Sequence, residues 1–261
     1  MLGSADDVVR DTGWVVTNIP GDSASLDTFV AQGDAEVERW FDSLELTRPD
    51  DAARTIVEIG SGIGRMTAAL TRRYGRVIAT DIDPGFLERC RETVSRYGNV
   101  NRLETTVVEG GRTLAVPNDT ADVVFSYITL QHCPPDVALD LVDEAIRILR
   151  PGGALALNLR TWSAADVVLW PAGRAARLVW RFTPRLAERS RFVTRLGWQA
   201  NRLAPAVVVE RFARRASGRV RVVQSAARHR SLRPPAGAEL SRVADLNPAH
   251  WFLVVEAVTE R

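Results

Sequence analysis

The stretch Val57-Glu58-Ile59-Gly60-Ser61-Gly62-Ile63-Gly64-Arg65 decides how this chain is read. Thr55 to Ile59 is short and rich in β-branched residues, which suits a buried strand. Glycines follow at 60, 62 and 64, and then a helix from about Arg65 to Tyr74. Glycines let a backbone turn tightly and approach a ligand closely. The helix behind them opens with free N–H groups, which suit a carboxylate or a phosphate. Asp81 ends the next strand, Arg76 to Thr80, where a carboxylate can accept hydrogen bonds from both hydroxyls of a ribose.

Outward from this turn the punctuation is regular. Pro84 at a first helical turn opens a helix to about Tyr97, and Leu103 to Val108 is a third strand. The turn signal Pro117-Asn118-Asp119 introduces a fourth, Ala121 to Ser126. Pro135-Asp136 starts a helix with Leu139, Val142, Ile146 and Leu149 along one side; Pro151-Gly152-Gly153 stops it, and Ala154 to Leu159 is strand five. On the other side of the turn, Ser25 to Ala31 and Asp34 to Leu46 read as two helices, the second burying Val37, Trp40, Phe41 and Leu44. Residues 1–23 read as an irregular arm anchored by Trp14 and Ile19. Strands alternating with helices imply a mainly parallel sheet covered on both faces. Arg219 to Gln224 and Trp251 to Val258 read as two late strands, able to pair antiparallel at the sheet edge. The expected fold is α/β and doubly wound: a mainly parallel seven-stranded sheet with an antiparallel edge strand and a helical insertion after strand five. Four segments follow: 1–50, an N-terminal helical arm; 51–160, the core; 161–218, an arginine-rich helical lid; and 219–261, strands completing the sheet.

With 46% hydrophobic and 25% charged residues, the 261-residue chain has an ordinary globular composition. No apolar run approaches the roughly 20 residues that cross a bilayer, and Met1 to Asp7 lacks the basic and apolar regions of a signal peptide. Cys90 and Cys133 are far apart, with no metal-ligand spacing. A cytoplasmic protein without a structural metal is expected. Net charge is +2, and every basic residue is arginine. The first 50 residues lean acidic, whereas Arg160 to Arg233 holds only Asp166, Glu188 and Glu210 as acids.

A dinucleotide fingerprint, Gly-x-Gly-x-x-Gly, would put its third glycine at 65, where this chain has arginine. Glu58 before the first glycine would repel a pyrophosphate but could serve an ammonium group. The ligand therefore reads as a nucleoside carrying an amino acid. Glu58-x-Gly60-x-Gly62-x-Gly64 with Asp81, Asp122 opening strand four, and Leu149-Arg150-Pro151-Gly152-Gly153 together resemble class I S-adenosylmethionine-dependent methyltransferases, over residues 54–160. The resemblance implies S-adenosylmethionine as cofactor. It implies that Glu58, Gly60, Ser61, Gly62 and Gly64 hold the methionine part, that Asp81 binds ribose and that Ile82 packs on adenine or ribose. The family's acid or amide for the adenine amino group falls in Glu109-Gly110-Gly111-Arg112, where Gly110 replaces the side chain; backbone at Gly110 and Gly111, or Glu109, takes its place. Ser126 and Tyr127 would lie beside the methionine and sulfonium.

Methyl transfer from a sulfonium needs donor and acceptor held in line and water kept out. An oxygen acceptor also needs its proton removed, and His132 in Leu130-Gln131-His132-Cys133-Pro134 is the candidate base. A structural role in fixing that turn is the competing reading of His132. His229 and His250 are the other histidines, His250 expected to cap the last strand. Glu144 and Arg147, one turn apart, read as a surface or helix-packing pair.

The basic insertion interleaves arginines with Trp162, Trp170, Trp180, Phe182, Phe192, Trp198 and Phe212. It suits, in order of preference, a lid over a small-molecule acceptor that could be anionic, a peripheral surface on an anionic membrane with a lipid- or glycan-linked acceptor, and a nucleic-acid groove. No Asn/Asp-Pro-Pro-aromatic tetrapeptide is present; Ser126-Tyr127-Ile128-Thr129 occupies its place, which argues against methylating nucleobase amino groups. The alternatives are an RNA methyltransferase using the basic insertion and a non-catalytic nucleoside-binding protein.

Overall fold

The computed structural model describes residues 4–9, 25–164, 166–180, 200–228 and 230–260. Trp14, Ile19, Phe182, Phe192, Trp198 and His229 lie outside the described residues.

The described residues contain one nine-stranded sheet. Its strands are β1 (Thr55–Ile59), β2 (Arg76–Asp81), β3 (Leu103–Glu109), β4 (Thr113–Leu114), β5 (Ala121–Ser126), β6 (Leu149–Arg160), β7 (Ala216–Ser225), β8 (Ala238–Val243) and β9 (His250–Glu260). They lie in the order β4-β3-β2-β1-β5-β6-β9-β7-β8. β1 pairs in parallel with both β2 and β5, β2 with β3, and β5 with β6. Every residue of β1 is buried, as a central parallel strand requires. The chain runs outward from β1 to β3 and then crosses back to β5, so the strand order reverses beside β1. Ligand crevices of doubly wound sheets form at such a reversal, beyond the carboxyl ends of the strands.

The seven strands read from the sequence are all present, and the sheet carries two more. β4 is an antiparallel edge strand that hairpins onto β3. β8 runs parallel to β7 on the other edge, and its six residues alternate only over Ala238 to Ser241, too short a pattern to signal a strand. The two late strands pair antiparallel, and β9 is inserted between β6 and β7 instead of at the edge.

Helices cover both faces. α1 (Leu26–Ser43), α2 (Thr67–Arg73) and α3 (Pro84–Tyr97) bury one, and α4 (Pro135–Arg147) and α6 (Pro205–Ala213) the other; α5 (Asp166–Trp180) follows β6. Ser25 caps α1 and exchanges hydrogen bonds with Thr28. The sequence divides this segment into two helices at Gly33, but it is one. Gly33 is there for proximity: a Cβ would lie 2.1 Å from the Arg65 carbonyl oxygen. The Arg65 guanidinium bonds the Glu36 carboxylate, both buried, and sits 5.7 Å from the Phe29 ring centroid. Trp40 and Phe41 are fully buried beneath the same helix, and burial of a side chain like Phe41 is worth about 2 kcal/mol. α1 is thereby fastened onto the glycine turn.

Removing one partner of a buried ion pair strands the other charge. Glu36→Ala is expected to cost about 3 kcal/mol in urea denaturation, and Glu36→Ala with Arg65→Met to recover most of that loss.

Candidate functional site

The turn after β1 is held from the neighbouring strand. Gly60 and Ser61 both donate their N–H to the Thr80 carbonyl, at 2.8 and 2.9 Å. Gly60 has φ +78°, and a Cβ there would come 2.1 Å from the Thr129 side chain. Gly62, at φ +54°, faces open space, with nothing within 4 Å of a Cβ. Its N–H bonds Asp81 Oδ2 at 2.9 Å, while the Asp83 N–H bonds Oδ1 at 3.0 Å. The Asp81 carboxylate is therefore fixed at the reversal point by one backbone donor on each oxygen. Burial raises its pKa, against the opposing bonds from Asp83 and Gly62. Ile82 stands 66% exposed beside it, close to Gly111. An exposed isoleucine next to an anchored carboxylate makes an apolar platform with a polar edge, and Gly62 and Gly110 both face open space.

Glu58 lies beneath the turn. One carboxylate oxygen accepts the Thr67 hydroxyl at 2.6 Å, and the side chain is buried. Burial pushes its pKa up to about 7, offset in part by the Thr67 hydrogen bond and the Arg65 charge. Cys90 lies in the same layer; its thiol is pushed up to about 12, first by burial and then by Glu58, so it is no nucleophile. Burial also raises the Cys133 thiol.

The loop after β5 closes the other wall. Ser126 is fully buried and donates its hydroxyl to the Ile59 carbonyl at 2.9 Å, so it offers strand position and not a free hydroxyl. Tyr127 stacks on Phe252 with ring centroids 6.0 Å apart, and burial pushes its phenol up to about 12. Ile128 has φ +56°, a strained value for a β-branched residue. Its N–H is taken by Asn158 Oδ1 at 3.3 Å, and Thr129 donates to the Gly60 carbonyl at 3.2 Å. The sequence reading missed both. Asn158 leaves a trace, a polar residue in the buried run Ala154 to Leu159, whereas the Thr129–Gly60 contact joins distant segments and leaves none.

His132 ends a short 3-10 turn, Leu130–His132, that Asn201 clamps through its amide to the Leu130 and Cys133 carbonyls, at 2.7 and 2.8 Å. The ring is exposed at the rim, yet neighbouring protein and the Arg160 charge lower its pKa, leaving it neutral at neutral pH. His250 opens β9 and is buried; burial, then Arg160 and His132, brings its pKa to about 4. Arg160 and Arg202 both bond Asp166 Oδ1, at 2.8 and 2.6 Å. Burial opposes ionisation of Asp166, but Arg202, Ser163 and Arg160 prevail and hold its pKa at about 2.

Other sequence candidates fall elsewhere. Asp122 sits near the amino end of β5, away from the turn, where it accepts the Thr55 N–H and pairs with Arg150. Glu144 and Arg147 form a bidentate pair that also holds the loop after β4 through the Leu114 and Val116 carbonyls. Gly110 and Gly111, at φ +57° and +73°, turn the β3–β4 hairpin, which explains why no acid stands at 110. Arg112 is committed to Asp136 and Asp140. A cavity of about 580 Å³ beside α4, lined by Arg112, Asp143 and Arg215, lies apart from the turn. No cluster of metal ligands occurs among the described residues.

A doubly wound sheet with a glycine turn at its reversal point and a carboxylate anchored at the next strand end has the layout in which such folds take up nucleosides. Residues 56–153 match the protein family described as a methyltransferase domain. Over 109 residues the chain is 34% identical to a carboxy-S-adenosyl-L-methionine synthase of Pseudomonas putida, covering 40% of this chain and 44% of that protein. It is 29% identical over 106 residues to phosphoethanolamine N-methyltransferase 1 of Triticum aestivum, or 40% of this chain and 21% of that protein. The chain thus spans less than half the length of these curated relatives. An O-methyltransferase family protein from Burkholderia thailandensis shares the fold with a TM-score of 0.52 at 15% identity, over 95% of this chain and 63% of that one. Residues 56–153 thus resemble the core of class I S-adenosylmethionine-dependent methyltransferases, whose cofactor is the ligand to test at this turn.

Glu58 supplies a pH test. Its folded pKa is raised, so its contribution to stability is fully present below the ordinary glutamate value and is lost as pH rises through about 7. Relative to Glu58→Gln, the parent protein is expected to lose on the order of 3 kcal/mol of unfolding free energy between about pH 4 and about pH 8 in paired denaturation curves.

Proposed function

We propose that this chain transfers the methyl group of S-adenosylmethionine to an oxygen of a small-molecule, glycan or lipid-linked acceptor. The observation that carries the reading is the Asp81 carboxylate, anchored by Gly62 and Asp83 beside the exposed Ile82 at the sheet's reversal point. The wheat relative is named for a small phosphate-bearing amine, which supports a small-molecule class of acceptor.

When bound, the cofactor supplies a methyl group already activated on a sulfonium. Asp81 would accept the ribose hydroxyls on its remaining lone pairs, and Ile82 would pack against the adenine edge. Backbone at Gly110 and Gly111 would face the adenine amino group. Gly62 permits close approach of the methionine part, with Ser61, Gly60 and Gly64 shaping the turn. Ionised Glu58 beneath the turn would favour a nearby ammonium. Ser126 and Tyr127 fix the strand end beside the sulfonium. The protein's main task is then alignment and exclusion of water. His132, neutral and exposed at the rim, would take the proton of an acceptor hydroxyl.

Calorimetry with S-adenosylmethionine and S-adenosylhomocysteine tests the cofactor reading. Binding is expected, with Asp81→Ala weakening it by about tenfold or more, the scale of lost charge-assisted hydrogen bonds, and His132→Ala leaving it nearly unchanged. No binding of either compound, alongside binding of a nicotinamide dinucleotide, overturns the assignment. Mass spectrometry of the products separates methyl transfer from modification of the cofactor itself, the activity for which the Pseudomonas relative is named.

A further inference from the structure

α5 begins beyond the carboxyl end of β6 and turns its apolar side chains outward. Val167 is 73% exposed, Val168 69% and Leu178 63%; Trp170 is 38% exposed, and Trp162, just before the helix, 50%. Of the side chains described on this helix, only Asp166 and Gly173 are buried. Asp166 tethers the first turn to Arg160 and Arg202. Trp162 and Trp170 pack on each other at 6.1 Å. Single exposed apolar residues need no explanation, but Trp162, Val167, Val168, Trp170 and Leu178 exposed together on and beside one helix mark an interaction surface. At 15 residues the helix is about 22 Å long, and no described helix is long and apolar enough to cross a membrane.

The charge around it selects the medium. Between Arg160 and Arg233 the sequence sets seventeen arginines against three acids. Seven of those arginines, Arg160, Arg202, Arg211, Arg214, Arg215, Arg219 and Arg221, pair with acids in the fold, and the excess that remains is still strongly positive. Valine, leucine and tryptophan in an arginine-rich segment complement a surface whose interior is hydrocarbon and whose headgroups are anionic. We propose that α5, with Trp162, lies in the surface of an anionic phospholipid bilayer. The parallel strands β1, β2, β5 and β6 end on one edge of the sheet. α5 starts from that edge, so the docked bilayer faces the side where the glycine turn opens. The surface would act in the same way whatever reaction the site performs.

The test is sedimentation of the full chain with vesicles of phosphatidylcholine containing phosphatidylglycerol, against phosphatidylcholine alone. Tryptophan fluorescence reports insertion in parallel. Binding is expected only to the anionic vesicles, and it should fall steeply when salt is raised from about 0.05 M to about 0.5 M. The triple variant Val167→Ser, Val168→Ser, Leu178→Ser should bind at least about tenfold more weakly, given the apolar area it removes from the interface. Its thermal melt should match the parent's, because these side chains pack on little; should it fail to fold, Val168→Ser alone reads the same face. Absence of binding to anionic vesicles at low salt overturns the proposal. So does a variant that binds as tightly as the parent. A lipid-free dimer in sedimentation velocity that the variant dissolves, without vesicle binding, makes a second copy of the chain the occupant and also overturns it.

Discussion

A Cβ at Gly60 would sit 2.1 Å from the Thr129 side chain, and that steric limit organises the crevice. The turn after β1 and the loop after β5 can touch only because one of them has no side chain at the contact. Thr129 then hydrogen-bonds the Gly60 carbonyl, and the two carboxyl-terminal loops at the reversal point become a single wall. Asp81 is the second consequence. It receives the Gly62 N–H only because the turn is folded back far enough to aim that donor at the end of β2. The site is therefore a by-product of backbone packing, with its one anchored carboxylate held by main-chain groups that mutation cannot easily remove.

Charge is distributed under this wall with the same economy. Glu36, Arg65, Glu58 and Asp81 lie close together, all buried. Arg65 is paired to Glu36, so its field on Glu58 is only partial, and burial dominates the Glu58 titration. A fully compensated Glu58 would stay ionised at any working pH. The incomplete compensation leaves a carboxyl poised near neutrality beneath the place where a ligand's ammonium would lie. Arg65 stands where a dinucleotide turn has glycine, and its side chain is used to lock α1 down over the turn. α1 brings Trp40 against Tyr127 and Phe252, which stiffens the wall from behind.

Much of this was legible in the sequence because it is local. β1, α3 and β5 have the bounds that β-branched runs, Pro84 and the Pro117-Asn118-Asp119 turn imply. The turn and Asp81 follow from glycine spacing and from the end of β2. Three features escaped for physical reasons. Gly33 reads as a helix break, since propensity cannot know that Arg65 needs the room. β8 is a short edge strand whose Ala238-Glu239-Leu240-Ser241 alternation breaks at Arg242, too brief a pattern to mark a strand. Asn158, Thr129 and Asn201 act through contacts between segments far apart in sequence, and spacing does not encode such contacts. Asp166 was visible as a lone acid in a basic run, but its two guanidinium partners were not.

The two ends of the crevice differ in how they are built. The cofactor end rests on main-chain hydrogen bonds and on glycines, which many sequences can supply. The far end, where an acceptor would enter, rests on side chains. Asn158 takes the N–H of the strained Ile128, Asn201 clamps the turn that carries His132, and Arg160 with Arg202 closes on Asp166. A left-handed conformation at a β-branched residue costs energy that only surrounding contacts can offset, so Ile128 and Asn158 have to be considered as one unit. Burial, and after it the Arg160 charge, lowers the pKa of both His132 and His250, so the protonation of the rim is coupled in part to the ion pairs that hold the first turn of α5. A change in how α5 is seated would reach His132 through that shared arginine. In this fold, the helix exposed at the surface and the candidate base at the rim are connected by a single buried charge.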